Sequence, residues 1–194
     1  MTADPATLDL ILRGARSFDR YTDRPVSDET LAAVWDLTKW GPTSANGQPA
    51  RILFLKSQDQ KERLRPALSA TNLEKTLAAP VVAIVAHDTR FFEFLPRYFP
   101  KAPGARSWFE GKPHAGITAF RNGTLQGAYF LIAARAVGLD CGPMSGFDNA
   151  VVDAEFFPDG RLQSNFLCCL GYGDRSALKE QAPRMSFDEA CEIL

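Results

Sequence analysis

The stretch Lys39-Trp40-Gly41-Pro42-Thr43-Ser44-Ala45-Asn46-Gly47-Gln48-Pro49-Ala50-Arg51 is polar and turn-forming, and it separates an amphipathic segment from an apolar one. Gly41, Pro42 and Pro49 oppose any continuation of a helix, since proline lacks the donor N–H and glycine is a poor helix former. Thr43, Ser44, Asn46 and Gln48 set hydrogen-bonding side chains close together in the same connection. Serine and asparagine serve ordinary turns as well. Their density here, between a helix and a strand, suits a loop that holds a ligand.

Upstream, Ser27-Asp28-Glu29 supplies a cap and an acidic first turn, and Leu31, Val34, Trp35 and Leu37 follow at helical spacing. This predicts a helix over 28–40. Downstream, the apolar runs Arg51 to Leu55, Val81 to His87 and Ser164 to Leu170 predict strands buried between helices. Ala115 to Val137 reads as one long helix with Phe120, Leu125, Ala128, Leu131 and Ile132 toward the core and Gly138 at its end. Such a helix is central or lies between subunits. Residues 91–113 are irregular, rich in phenylalanine, tryptophan and proline, and carry Arg97, Lys101 and Arg106. They read as a lid over a substrate pocket, although aromatic residues also cover core edges. Ser186-Phe187-Asp188-Glu189 has capping-box spacing and predicts a final helix through Leu194, docking the tail.

With 194 residues, 45% of them hydrophobic, the chain is long enough for one domain, 1–194, with a sizeable core. A net charge of −1 leaves no basic surplus, which argues against nucleic acid and anionic membranes as partners. The opening Met1-Thr2-Ala3-Asp4-Pro5 lacks a basic flank and apolar core, and no run reaches the ~20 apolar residues of a span. A cytoplasmic location is expected. Cys141, Cys168, Cys169 and Cys191 with His87 and His114 form no metal-ligand spacing, so no metal is expected. Cys168 and Cys169 read as small core residues, and His87 as a structural histidine at a strand end.

Arg16-Ser17, the Ser44 to Gln48 loop, Asn72 with Lys75, and Arg184 are polar or cationic groups with little reason to recur for packing. Together they suit a phosphorylated planar cofactor. No glycine-rich phosphate loop is present, so the anion must be met chiefly by side chains such as arginine.

Ala15-Arg16-Ser17 followed by Tyr21 and Pro25-Val26, together with Pro42-Thr43-Ser44-Ala45-Asn46-Gly47-Gln48-Pro49, resembles motifs of the flavin-dependent nitroreductase family. The resemblance covers nearly the whole chain. Asn72-Leu73-Glu74-Lys75 matches the family's Asn-x-x-Lys pair, and Gly138 to Asp148 is similar to its Pro-x-x-Gly-Phe turn. Within the family, Lys39-Trp40-Gly41-Pro42-Thr43-Ser44-Ala45-Asn46, Pro25-Val26-Ser27-Asp28-Glu29-Thr30-Leu31 and Gly142-Pro143-Met144-Ser145-Gly146-Phe147-Asp148 resemble the malonic semialdehyde reductase group of pyrimidine degradation. The resemblance implies an α+β, three-layer α-β-α sandwich with a mostly antiparallel sheet, a domain-swapped homodimer, FMN, and NADPH or NADH as hydride donor.

It also implies the site: Arg16, Ser17 and Arg184 on the FMN phosphate, Asn72 and Lys75 at the ring edge that gains negative charge, and Pro143, Met144, Ser145 and Gly146 beside the ring. Thr43, Ser44 and Asn46 complete it, Ser44 and Asn46 from the partner subunit. Charge-assisted contacts to phosphate contribute ~1.5–3 kcal/mol each. The chain departs from the family pattern at Ala15, where many relatives carry an arginine, and at Asp19, often a cation; Arg20 alongside is a further candidate. The expected reaction is ping-pong hydride transfer to a small aldehyde or other electrophile, with Arg97, Arg106 or Arg121 holding a substrate carboxylate. No catalytic side chain stands out. The alternatives are reduction of nitroaromatic or quinone compounds, and a flavin-binding protein without turnover.

Overall fold

A computed structural model describes residues 2–194; Met1, the first residue of the expected domain, lies outside the described residues. The helices are α1 (Pro5–Leu8), α2 (Asp28–Thr38), α3 (Gln58–Glu62), α4 (Ala70–Ala78), α5 (Leu95–Tyr98), α6 (Ala115–Ala136), α7 (Asn149–Phe156) and α8 (Phe187–Ala190). The strands are β1 (Ala50–Leu55), β2 (Val81–Asp88), β3 (Asp140–Met144) and β4 (Leu162–Gly171). They form a sheet in the order β1-β2-β4-β3 with every neighbouring pair antiparallel.

Strand β2 is buried along its whole length because both sheet faces are covered. Val81, Ala83 and Val85 face one layer with Val34 of α2 and Phe130 and Ala134 of α6. Val82, Ile84 and Ala86 face the other, with Leu64, Ala67, Val152 of α7 and Phe157. The period-2 alternation of a strand between two apolar layers gives the three-layer α-β-α sandwich that the family resemblance implies. Cys141, Cys168 and Cys169 lie inside these layers. Burial pushes the Cys169 thiol up to about 12, so it is an inert core residue.

Several expectations need correction. Helix α2 ends at Thr38, and its buried positions are Leu31, Val34 and Thr38, while Leu37 faces outward. Strand β3 was not anticipated, because Gly142 and Pro143 read as a turn; at the sheet edge proline forfeits no ladder bond. The face of α6 is also different. Asn122, Gly123, Gln126, Gly127 and Phe130 are buried, whereas Leu125 and Ala128 are exposed with Ile117 and Tyr129, and so is Phe120 although its ring meets His87 edge-on; Leu131 packs on the core as expected, and Ile132 is half-buried. The glycines let the helix sit tightly on the sheet: a Cβ on Gly127 would lie 2.5 Å from the Phe166 ring, and one on Gly123 would lie 2.9 Å from His87.

Residues 91–113 form short helical turns around their own cluster of Phe91, Phe92, Leu95, Ala105 and Phe109, leaving Phe94, Tyr98 and Trp108 exposed. The Ser186 to Glu189 capping box is present, but α8 stops at Ala190 and residues 185–194 are exposed rather than docked on this chain, whereas Lys179 and Gln181 contact Arg16 and Arg13. A four-residue helix without a packed face has nothing to extend it.

Candidate functional site

The loop after α2 is built under conformational tension. Ala45, Asn46 and Gln48 all adopt positive φ, at 51°, 50° and 43°. Three such non-glycine residues in one short loop, where surrounding contacts must hold them, is a feature that clusters at functional sites. The contacts are specific. Ser44 N donates to Asn122 Oδ1 at 2.8 Å, Gln48 N to Thr43 Oγ1 at 3.1 Å, and Asn46 Nδ2 to Tyr98 O at 2.8 Å. Gln126, fully buried on α6, accepts from Ala50 N at 2.9 Å and fixes the start of β1. The polar positions of α6 therefore shape the loop instead of facing solvent.

At the opposite sheet edge, the segment bearing Arg16 and Ser17 runs beside β3. Ser17 bridges Cys141, and Phe18 N donates to Cys141 O at 3.0 Å. Asp19 then reaches α4, where its carboxylate lies 3.0 Å from Lys75 Nζ. One turn earlier on α4, Asn72 Nδ2 donates to Gly146 O at 2.9 Å. A Cβ on Gly146 would lie 2.6 Å from Asn72 Nδ2, so a side chain there would displace the Asn72 amide from its bond to Gly146 O. Pro143 is half-buried in β3, Ser145 is exposed, and Met144 is buried with its sulfur accepting from Thr76 Oγ1 at 3.3 Å. The Met144 side chain thus belongs to the core, leaving only its backbone for a ligand.

Arg16 and Arg184 come together. With Arg13, Ser17, Arg135 and Gln181 they line a cleft of about 620 Å³. Arg13 is paired with Asp9 at 2.6 Å. The other three arginines bind backbone carbonyls: Arg16 that of Lys179, Arg135 that of Ile11 at 3.0 Å, and Arg184 that of Ala182 at 2.7 Å. Carbonyls do not neutralise guanidinium charge, so the cleft is a concentration of cations suited to an anion.

Arg16, Ser17, Arg184, Asn72, Lys75 and Gly146 thus share the β3 side. Thr43, Ser44 and Asn46 do not join them: they stand beyond β1, three strand spacings or roughly 14 Å across the sheet. Residues 12–172 match the Nitroreductase family. The chain belongs to the nitroreductase family. This nitroreductase-family chain is 53% identical over 189 residues, covering 96% of each chain, to a protein of Cupriavidus pinatubonensis provisionally named an NADH dehydrogenase/NAD(P)H nitroreductase. Its fold matches a provisionally named nitroreductase of Exiguobacterium sibiricum, solved in complex with FMN, at TM-score 0.87, 19% identity and coverage of 100% and 99%. It also matches one from Bacillus subtilis at TM-score 0.85, 20% identity and coverage of 98% and 100%. At those identities the likeness establishes the fold.

Three groups escaped the sequence reading. Arg13, Arg135 and Gln181 line the cationic cleft but sit in no motif. Asp88, 1% exposed, accepts from Arg51 Nη2 at 3.0 Å and Arg161 Nη2 at 3.0 Å, and Arg51 also donates to Gln48 O at 2.9 Å. Burial pulls the Arg51 guanidinium below its usual pKa, whereas hydrogen bonding to Asp88 raises that of Arg161. Lys61, buried, caps the end of α4 through Leu77 O and Ala79 O and holds the helix that carries Asn72 and Lys75. Its pKa is lowered by desolvation. Among the described residues no cluster has the makings of a metal site, and no helix is long and apolar enough to cross a membrane.

Proposed function

We propose that this nitroreductase-family chain is an FMN-dependent NAD(P)H oxidoreductase, acting on a small aldehyde such as malonic semialdehyde. The observation that carries the reading is the continuous edge beside β3, from the cationic cleft of Arg16 and Arg184 through Ser17 to Lys75, Asn72 and Gly146. Those donors fit a flavin mononucleotide. Guanidinium groups without carboxylate partners suit its phosphate, and an ammonium and an amide farther along suit a polar ring edge. When bound, FMN supplies a two-electron carrier between a nicotinamide donor and an electrophile.

The residues of the chain bind and orient. Arg16, Ser17 and Arg184 grip the phosphate, Lys75 holds a positive charge where the ring edge gains negative charge, and Asn72 fixes the Gly146 turn. Residues 43–48 lie beyond β1, on the other side of the sheet from that edge, and the family resemblance assigns Thr43, Ser44 and Asn46 to the site of a second copy. The same resemblance implies a domain-swapped homodimer, and the outward apolar side of α6 and the exposed apolar tail residues Met185, Phe187, Ile193 and Leu194 offer surface for a partner to cover. A single domain with 91–113 as its lid, and a cytoplasmic location, belong to the same reading.

For a carboxylated aldehyde, Arg121 and Arg97 are the best placed clamps. Both are exposed; Arg121 precedes Asn122, which holds Ser44, and Arg97 precedes Tyr98, whose carbonyl holds Asn46. Arg106 is engaged by Glu110. The second reading, a nitroaromatic or quinone acceptor, is favoured by the exposed ring of Tyr98 beside the same loop and by the name of the 53% identical relative. Steady-state comparison of malonic semialdehyde with a neutral nitroaromatic decides between them. The aldehyde reading expects Arg121→Ala or Arg97→Ala to raise KM for the aldehyde alone; equal effects on both acceptors, or no aldehyde turnover, favour the second.

A further inference from the structure

We propose that Arg135, at the end of α6, is a third arginine of the phosphate site, contributed from outside the N-terminal segment. Arg135 and Ala15 line the same cleft as Arg16, Ser17 and Arg184. An alanine there presents only a methyl group. Arg135 arrives from a different element and adds a guanidinium to the cleft wall.

The state of that guanidinium points to a missing partner. Nη1 donates to Ile11 O at 3.0 Å, but the buried Nε has no hydrogen-bond partner. A buried, unpaired donor on a charged group is costly, and such groups are normally satisfied by protein, water or ligand. The cost is compounded by Arg16 and Arg184, whose like charges share the cleft. An incoming phosphate relieves the like-charge crowding by neutralising the cluster, and the part of the guanidinium that lines the cleft can donate to it. The contact to Ile11 O meanwhile holds the side chain in place, so little rotamer freedom is lost on binding. This inference rests on the FMN reading of the cleft and adds to it a residue outside the matched motifs.

The test compares FMN with riboflavin, which has the same ring system and no phosphate. The full-length protein, freed of flavin, is titrated with each ligand by fluorescence, as wild type, Arg135→Gln and Arg135→Lys. Arg135→Gln is expected to weaken FMN about tenfold, the loss of one charge-assisted contact, while leaving riboflavin within about twofold. Arg135→Lys, which keeps the charge but loses the fork, is expected to weaken FMN less and to spare riboflavin likewise. It also serves as the reporter if the glutamine variant does not fold. Equal weakening of both flavins by the folded variants assigns Arg135 to holding the Ile11 segment and overturns the proposal. Unchanged FMN binding in both variants overturns it while leaving the FMN reading intact. Failure of the wild type to bind either flavin removes both.

Discussion

The ammonium of Lys75 lies 3.0 Å from the carboxylate of Asp19, with 26% and 59% of their side chains exposed. The cation proposed for the flavin edge is therefore already partnered by an acid from the segment that also carries Arg16 and Ser17. A pair this open to water is worth at most about 1 kcal/mol. It can dissociate cheaply when a ligand arrives, yet the carboxylate stays nearby and offsets part of the positive field.

The first prediction concerns that offset. Asp19→Asn should raise the midpoint potential of bound flavin by about 20–30 mV, because roughly 1 kcal/mol of stabilisation returns to the reduced, more negative form. Equilibration against a reference dye measures it. An unchanged or lower potential means that Lys75 and Asp19 do not act on the ring.

Packing of α6 gives a second. Gly127→Ala should destabilise the fold by about 1–3 kcal/mol, although alanine is the better helix former by about 1 kcal/mol. The new Cβ would lie 2.5 Å from the Phe166 ring, and the helix cannot move away without disturbing Gln126 on Ala50. Denaturant unfolding should show a lower midpoint; a higher one would mean that α6 sits farther from β4.

His87 gives a third, in pH. It is buried beneath α6 with Nδ1 unpartnered, and desolvation lowers its pKa below the usual 6.5. The unfolded chain then binds the proton more readily than the folded one. Stability is complete above the unfolded value and declines as pH falls below it. Thermal unfolding at about pH 7 and about pH 5 should show an acid loss in the wild type that His87→Gln reduces. An equal loss in both would place the titrating group elsewhere.

Much of this architecture is legible in the sequence because the decisive runs are long and bounded. Val81 to His87 is apolar at every step before the histidine, and the Gly41-Pro42 stop limits α2 to within two residues of its observed end at Thr38. Strand β3 was hidden because Gly142-Pro143 mimics a turn, and only its edge position makes proline acceptable. The face of α6 was misread because its large residues, Phe120 and Leu125, are exposed. Its sheet-facing side uses glycine, asparagine and glutamine, for close approach and to bind the neighbouring loop.

The candidate site divides in the same way. Arg16, Ser17, Asn72, Lys75 and Gly146 lie in recognisable motifs, and the fold sets them along one edge. Arg135 and Asp88 carry no local signature. Arg135 is an isolated cation on a helix, and Asp88 becomes notable only when Arg51 and Arg161 converge on it from different strands and loops. Such convergence depends on topology, which no short pattern encodes.

The most direct test of the central claim is an anaerobic titration of the FMN-loaded protein, following the visible flavin band while NADH or NADPH is added and then malonic semialdehyde. Bleaching by the nicotinamide and recovery on adding the aldehyde are predicted. A band that neither nicotinamide bleaches would contradict the oxidoreductase reading and leave a flavin-binding protein without turnover.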